Sequence, residues 1–580
     1  MQSSICKSSS SNSSSTSHSS INKKLILLVF SFFLLVNIAS SGAHIDWWDG
    51  TETFLVTESM VLKHSAKLYP DTPSIKKLGF DMNWSKGYNA GHQGLRFYDI
   101  NMIPPLYSLR SLLLSAIAVP FYYAATVFSV SPVAVVGLFV NSLIISLTSL
   151  VIFCFSIEVY GSRKIGFLLG LIYGVCSFVW PYNTSLWPQP LQALTLIASA
   201  FFIYKSYAIH HQLSFICHYT RPDNKKNGSS RGIYYAALGG LFLGLSVFAH
   251  PTSVLVIPGF AVYSIFSMRY NRTNLSSFLI VLVITLSFMG LVNYWRFDSF
   301  TDFGYGSDGT LSRHNEWKGL IGVLASPGAG LIFYFPIAIL LPLTLKYMYK
   351  ENKGLFFLSA YVILVNWLYV GTLPGEVFWS GGIAWGPRYL IPVLPFIAIV
   401  SGTLFQRMKM PHFNLLSVKN NGVSFMSRSF MKLSIIIVLC AAGFFINLLG
   451  KLVWIFDAMN YGYKIWPWHM GLQYYWDPYY SQIILQLKTL MSDYVSHINP
   501  DKYLAMPFWS SLFQGLAPCP IDVYLFCKFG IEPVLLLSVI IVTLAVLVVM
   551  EISMPKFNPQ TFLFQLKAIK RSYLLQKIIR

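Results

Sequence analysis

Apolar runs long enough to cross a bilayer recur along this chain, near positions 132–157, 165–181, 188–208, 233–249, 252–268, 275–294, 329–345, 355–371, 388–405, 433–450 and 532–550. A hydrocarbon layer of roughly 30 Å needs about 20 residues of helix at 1.5 Å per residue, and these runs fit that length. Within hydrocarbon every backbone polar group must be satisfied inside its own segment, so such runs fold as helices. Only 11% of the 580 residues are charged and 54% are hydrophobic. A soluble domain carries about 25% charge, so the expected fold class is an all-α polytopic membrane protein.

Basic residues set the expected topology. The run 25–43 follows Lys23-Lys24 and ends in Ala39-Ser40-Ser41-Gly42-Ala43, a pattern shared with cleaved signal peptides. It reads here as a retained first span, because removal would cost the acidic segment that follows its anchor. Residues 1–24 form a Ser-rich cytosolic tail too polar to fold alone. The run 106–128 contains Arg110 and Pro120, and counting it as a full span spoils the charge parity. Placed on or dipping into the outer face, it leaves Arg163-Lys164, Lys225-Lys226, Arg269, Arg272, Lys346, Lys350, Lys353, Arg407 and Lys409 all inside.

The result is about twelve transmembrane helices with both termini cytosolic. An outer loop at 44–131 carries juxtamembrane or re-entrant segments, and a transmembrane core occupies 132–405. A cytosolic loop and helix follow at 406–450, then an aromatic outer loop at 451–531, and a last helix with a basic tail at 532–580. The tail 561–580 is basic and amphipathic, suited to an anionic inner leaflet. The formal charge of +20 is thereby spent on topology, and no nucleic-acid partner is expected.

Cys154, Cys176 and Cys440 fall inside spans as small core residues, and Cys519 and Cys527 share one loop where a disulfide could form. Zinc-ligand spacing, a phosphate-binding glycine loop and a dinucleotide fingerprint are all missing from the sequence. No internal repeat stands out, which lends no support to a transporter built from related halves.

The chemistry concentrates on the expected outer face. Asp46-Trp47-Trp48-Asp49-Gly50-Thr51-Glu52 sets three carboxylates at three-residue spacing just after the first span. Residues three apart share neighbouring helix faces, so two of them can point into one cavity, and like charges held close raise one carboxyl's proton affinity. Asp49-x-x-Glu52 is also the spacing of a helix capping box. Farther on, Ser326-Pro327-Gly328-Ala329-Gly330-Leu331 forms an outer turn entering a span.

The stretch Trp379-Ser380-Gly381-Gly382-Ile383-Ala384-Trp385-Gly386-Pro387-Arg388-Tyr389 places an arginine at the mouth of another span. An arginine there calls for an anionic partner, and a phosphate fits its planar fork, with Trp379, Trp385 and Tyr389 as surfaces for sugar or lipid. Interfacial anchoring explains the same residues. Arg110 and Arg296 share both readings. His250, alone before Pro251, reads as a structural hydrogen-bonder. Trp466, Trp468, Tyr474, Tyr475 and Trp476 suit carbohydrate contact or an interfacial belt equally.

The order of these motifs resembles the GT-C membrane glycosyltransferases: an acidic cluster after the first span, a proline-containing amphipathic stretch, the 326–336 turn and the 381–396 segment. The resemblance, over about residues 25–405, is to their bacterial and archaeal branch, akin to protein O-mannosyltransferases and lipid A aminoarabinose transferases. It implies a GT-C-like fold and a sugar donor linked to polyprenyl or dolichyl phosphate. It also implies a catalytic carboxylate in the first outer loop, carried by Asp49, with Asp46 and Glu52 as competitors. Relatives place adjacent Asp-Glu there, whereas this chain has Asp49-Gly50-Thr51-Glu52; where many carry a Lys in the proline-containing stretch, this chain offers Arg110. Trp47-Trp48-Asp49-Gly50 also resembles the WWDYG motif of oligosaccharyltransferases, which lies in a C-terminal soluble domain there, and the match reads as coincidence.

The expected reaction is an inverting displacement at the extracytoplasmic face of a multi-pass cell-membrane protein. Asp49 deprotonates an acceptor hydroxyl of a glycan, lipid or protein. Arg388, with Arg110 or Arg296, stabilises the departing phosphate. The expected partners are that donor, the acceptor and membrane lipids. No cofactor is required, although the carboxylates could hold a divalent metal. The alternative is a transporter or flippase of a lipid-linked saccharide, using the same contacts without a base.

Overall fold

A computed structural model describes residues 22–45, 48–69, 71–78, 97–98, 106–108, 110–216, 223–269, 271–304, 316–373, 379–382, 384–408, 428–465, 472–492 and 522–553. Asp46, Trp466, Trp468, Cys519, most of the Ser-rich tail and the segment 561–580 lie outside the described residues.

Helix follows apolar run with few departures. The first helix, α1 (Lys23–Ala39), is capped by Asn22, whose side chain accepts from the Lys24 N–H at 3.1 Å. Next come α2 (Trp48–Leu62), a short α3 (Pro73–Leu78) and α4 (Leu112–Val127). The core helices follow as α5 (Pro132–Tyr160), α6 (Arg163–Cys176), α7 (Pro188–Ile216), α8 (Asp223–Ala249), α9 (Ile257–Met268) and α10 (Arg272–Phe297). Beyond these stand α11 (Glu316–Ala325), α12 (Leu331–Tyr334), α13 (Leu341–Glu351), α14 (Lys353–Gly371), α15 (Leu394–Arg407) and α16 (Arg428–Leu452). The last long helix runs Ile531–Ser553.

Among the described residues, nine helices are long and apolar enough to cross a membrane, so the chain is an all-α polytopic membrane protein. The expected count of about twelve exceeds this by three runs. Two form helices shorter than a full span, 17 residues in α1 and 14 in α6. The third, 329–345, is not one helix. Pro336 lacks an amide hydrogen and crowds the preceding turn, so the chain breaks into α12, a 3-10 turn at Pro336–Leu340, and α13 with Pro342 in its first turn.

The run 106–128 divides as its Arg and Pro suggest. Leu106–Ser108 is a strand in a three-stranded antiparallel patch, flanked by Lys67–Leu68 and Phe97–Tyr98. Ser111 then caps α4, a 16-residue helix that carries Pro120 and packs against α2. Hydroxyls stitch this pair together. Thr57 donates to the Ser115 carbonyl at 3.2 Å, and Ser115 donates to the Thr53 carbonyl at 3.0 Å. Such small hydroxylated residues let backbones approach closely where apolar surroundings leave no other partners.

The link from α1 to α2 is pinned from far along the chain. His44 meets the Asp522 carboxylate at 3.0 Å, and the Tyr524 N–H donates to the Ser41 carbonyl at 3.0 Å. Burial raises the Asp522 carboxyl, but the neighbouring His44 and Lys451 outweigh it and hold the group below its ordinary value. Lys451, itself buried, donates to Asn183 and Thr184 at 2.8 Å each. The start of α2 is thus held against the 180–187 turn.

Candidate active site

Asp49 lies in the first turn of α2, where the positive end of the helix dipole favours an anion. Its two carboxylate oxygens meet different arginines. Oδ1 lies 2.7 Å from Arg110 Nη2, and Oδ2 lies 3.2 Å from Arg388 Nη1. Glu52, one turn on and fully buried, has Oε2 3.3 Å from Arg110 Nε and accepts from the Ser108 hydroxyl at 2.9 Å. Asp49 and Glu52 therefore meet the same Arg110 guanidinium, which stands between them. The like-charge pairing expected from their spacing is replaced by a carboxylate–guanidinium–carboxylate bridge.

Each arginine is itself positioned. Arg296, at the end of α10, donates to the carbonyls of Ser108 and, at 2.7 Å, Arg110. It braces the turn that presents Arg110. Arg388 Nη2 donates to the Tyr389 hydroxyl at 3.0 Å, and the guanidinium lies 4.9 Å from the Trp187 ring and 4.8 Å from the Tyr389 ring. These faces stabilise a cation in a desolvated site. Arg388 Nε is buried and makes no hydrogen bond to protein.

The two motifs of the second half are built to deliver Arg388. Gly381 adopts φ +89, open to glycine, and a Cβ there would lie 2.7 Å from Arg388 Cγ. Tyr334, at the end of the 326–336 turn, donates to Gln482 at 3.1 Å, and Gln482 donates to the Ala384 carbonyl at 3.1 Å. Trp385 crosses the Tyr334 ring edge-on at 5.0 Å and donates to Asn447 at 2.9 Å. The turn is seated in its turn on 474–476. The Gly328 N–H donates to the Tyr475 carbonyl at 3.1 Å, and a Cβ on Gly328 would meet the Tyr474 carbonyl at 2.3 Å.

The expected site residues divide accordingly. Asp49, Glu52, Arg110, Arg388 and Tyr389 converge, and Arg296 supports them from behind. Trp385 and Trp379 are both buried. Trp379 packs against Tyr475 and Trp476 at 5.7 and 5.9 Å, in the wall rather than at the arginines. Trp385 lines a cavity of about 40 Å³ with Trp187, Tyr182, His44 and Asp522. Asp46 lies outside the described residues.

Sequence reading missed two contributors. Ser108 gives no signal beyond its nearness to Arg110, and Trp187 none beyond sitting in the turn before α7. His250 reads as a lone helix-end residue, and its ring does accept from the Thr252 N–H at 3.4 Å. It lies between the α8 span and the next, within the field of the cluster. Burial pushes its pKa down to about 4, with Asp49 opposing and Arg110 and Arg388 reinforcing the shift. Among the described residues no group of three or more His, Cys, Asp or Glu side chains gathers as a metal site.

The fold is similar to solved structures of the Archaeoglobus fulgidus oligosaccharyltransferase. The apo form aligns with a TM-score of 0.42 at 9% identity, over 74% of this chain and 55% of that one. The archaeal oligosaccharyltransferase AglB from the same organism, in complex with an inhibitory peptide and a dolichol-phosphate, aligns with a TM-score of 0.41 at 10% identity, over 73% and 55%. The chain thus spans about half the length of the structures it matches. No protein-family model and no curated protein matches it.

Proposed function

We propose that this protein is a GT-C-type membrane glycosyltransferase. It would move a sugar from a polyprenyl- or dolichyl-phosphate donor to an acceptor hydroxyl at the extracytoplasmic face. The observation that carries the reading is the Asp49 carboxylate held between Arg110 and Arg388 at 2.7 and 3.2 Å. A guanidinium binds carboxylate and phosphate through the same fork. A donor phosphate entering beside Arg388 competes with Asp49 for that fork and frees a carboxylate oxygen at the moment the substrate is seated.

The freed oxygen then accepts the acceptor's hydroxyl proton while the acceptor oxygen bonds to the anomeric carbon. The bond from that carbon to the phosphate oxygen breaks, and its electron pair leaves with the lipid phosphate. Arg388 and Arg110 neutralise the charge that develops there. Displacement from the opposite face inverts the anomeric centre. His250, neutral at pH 7, adds no charge to the site.

The test is label transfer from a polyprenyl-phosphate sugar by the purified protein. Wild type should release free polyprenyl phosphate and form a glycosylated acceptor, and Asp49→Asn should lose transfer while the fold persists. Donor movement across a vesicle membrane without cleavage, equal in wild type and Asp49→Asn, would identify a flippase instead.

A further inference from the structure

The small cavity that Trp385 and Asp522 line lies one side chain away from Arg388. It measures about 40 Å³, room for about three water-sized groups. Its wall toward the arginine is Trp187, whose ring lies 4.9 Å from that guanidinium. Trp454 and Trp385 add further aromatic wall, and the half-buried Pro181 and Ile455 stand among the lining residues. Trp385 is fixed in place. Its Nε1 donates to Asn447 at 2.9 Å, and a Cβ on Gly450 would come within 2.3 Å of ring Cε2.

Two amides one turn apart on the helix Gln482–Leu490 are served very differently. Gln482 spends both ends, accepting from the Tyr334 hydroxyl and donating to the Ala384 carbonyl at 3.1 Å each. Gln486 follows on the same helix face, fully buried, and lines the cavity. Neither its Oε1 nor its Nε2 has a hydrogen-bond partner among the described residues. A buried amide with both ends unmet is costly, and in a folded protein it calls for an explanation. An amide sets an acceptor beside a donor, so its complement is one donating group beside one accepting group. Two vicinal hydroxyls are such a pair. The Asp522 carboxylate, 3.0 Å from His44 Nε2, keeps acceptor capacity for a further hydroxyl.

From an unmet amide in an aromatic-walled cavity beside Arg388 we infer that this cavity is a saccharide subsite, with Gln486 holding two neighbouring hydroxyls at the edge of a sugar ring. The inference rests on the proposed action on a lipid-linked sugar. The ring belongs to that donor or to a sugar acceptor, and the two sources part in the test.

The probes are methyl glycosides of mannose, glucose, galactose and N-acetylglucosamine, with binding to the purified full-length protein read by saturation-transfer NMR. Wild type should bind at least one of them. Gln486→Met should weaken that binding about fivefold or more, and Ala384→Leu, which fills the cavity, should abolish it. The melting temperature of Gln486→Met should equal or exceed that of wild type, because an unmet buried amide is removed. A clear drop would make the amide a structural group and overturn the inference. Polyprenyl phosphate carrying the bound sugar should displace the glycoside from a donor subsite and leave it in an acceptor subsite. Displacement by bare polyprenyl phosphate would put the glycoside at the arginines instead and overturn the inference. So would no glycoside binding by wild type, which leaves ordered water as the occupant, or unchanged binding in both variants. Binding is read without transfer, so a wild type that binds glycoside but transfers no sugar counts against the proposed function and not against the subsite.

Discussion

At the first turn of α2 the Asp49 carboxylate faces two guanidinium groups, one from the α4 approach and one from the mouth of α15, at 2.7 and 3.2 Å. Farther along the same helix Glu58 is as thoroughly buried but faces neutral donors. The Ser74 N–H and hydroxyl lie at 3.1 and 2.8 Å, and the Tyr122 hydroxyl at 3.1 Å. Neutral hydrogen bonds of this kind saturate a carboxylate and lock the start of α3 and the body of α4 onto α2. Cationic partners leave Asp49 in a different position, because an incoming anion can take over the guanidinium groups without leaving a buried donor unmet. One helix thus carries a carboxylate fixed for structure and a carboxylate poised for exchange.

Neutralising each group should separate these roles. Asp49→Asn is expected to lower sugar transfer about 10³-fold with the fold retained, within the range of a lost general base, while Glu58→Gln keeps transfer in every molecule that folds. Equal losses in the two variants, measured as transfer per folded protein, would dissolve the distinction.

Much of this arrangement was legible beforehand, for reasons that differ by residue. The long spans declare themselves because hydrocarbon demands about 20 apolar residues. Arg110 and Arg388 stand out because a cation at the edge of an apolar run needs a partner. What sequence does not give is the partner's address. Asp49 and Arg388 are 339 residues apart, and His44 and Asp522 are 478 apart. The spacing of Asp49 and Glu52 suggested mutual repulsion, and only the placement of Arg110 between them changes that sign. The break at Pro336 was visible as a residue, but a proline inside an apolar run either kinks or ends a helix, and local sequence does not choose.

Smaller effects sharpen the contrast. Arg388→Lys should reduce transfer about 10²-fold, because an ammonium cannot replace the fork that spans Asp49 and the phosphate. Glu58→Gln should instead cost about 1–3 kcal/mol in stability, read from denaturant or thermal unfolding, by leaving one of its three donors poorly matched.

His250 tests the electrostatics of the Asp49 end. Its folded pKa, about 4, lies below the ordinary 6.5, so between those values the unfolded chain binds the extra proton and stability falls as the pH falls. At pH 5 the loss relative to pH 7 should be about 2 kcal/mol, and His250→Gln should remove that part of the acid sensitivity. An unchanged acid profile in His250→Gln would place the ring outside the buried, cation-flanked setting described above.

The exchange of Asp49 for a donor phosphate at the arginines is tested most directly by measuring donor affinity and turnover together in Asp49→Asn. The account predicts polyprenyl-phosphate sugar bound at least as tightly as by wild type, since Arg110 and Arg388 lose a competing carboxylate, with transfer lowered about 10³-fold. Donor affinity falling in parallel with transfer would contradict it, and would make Asp49 a binding group rather than the base.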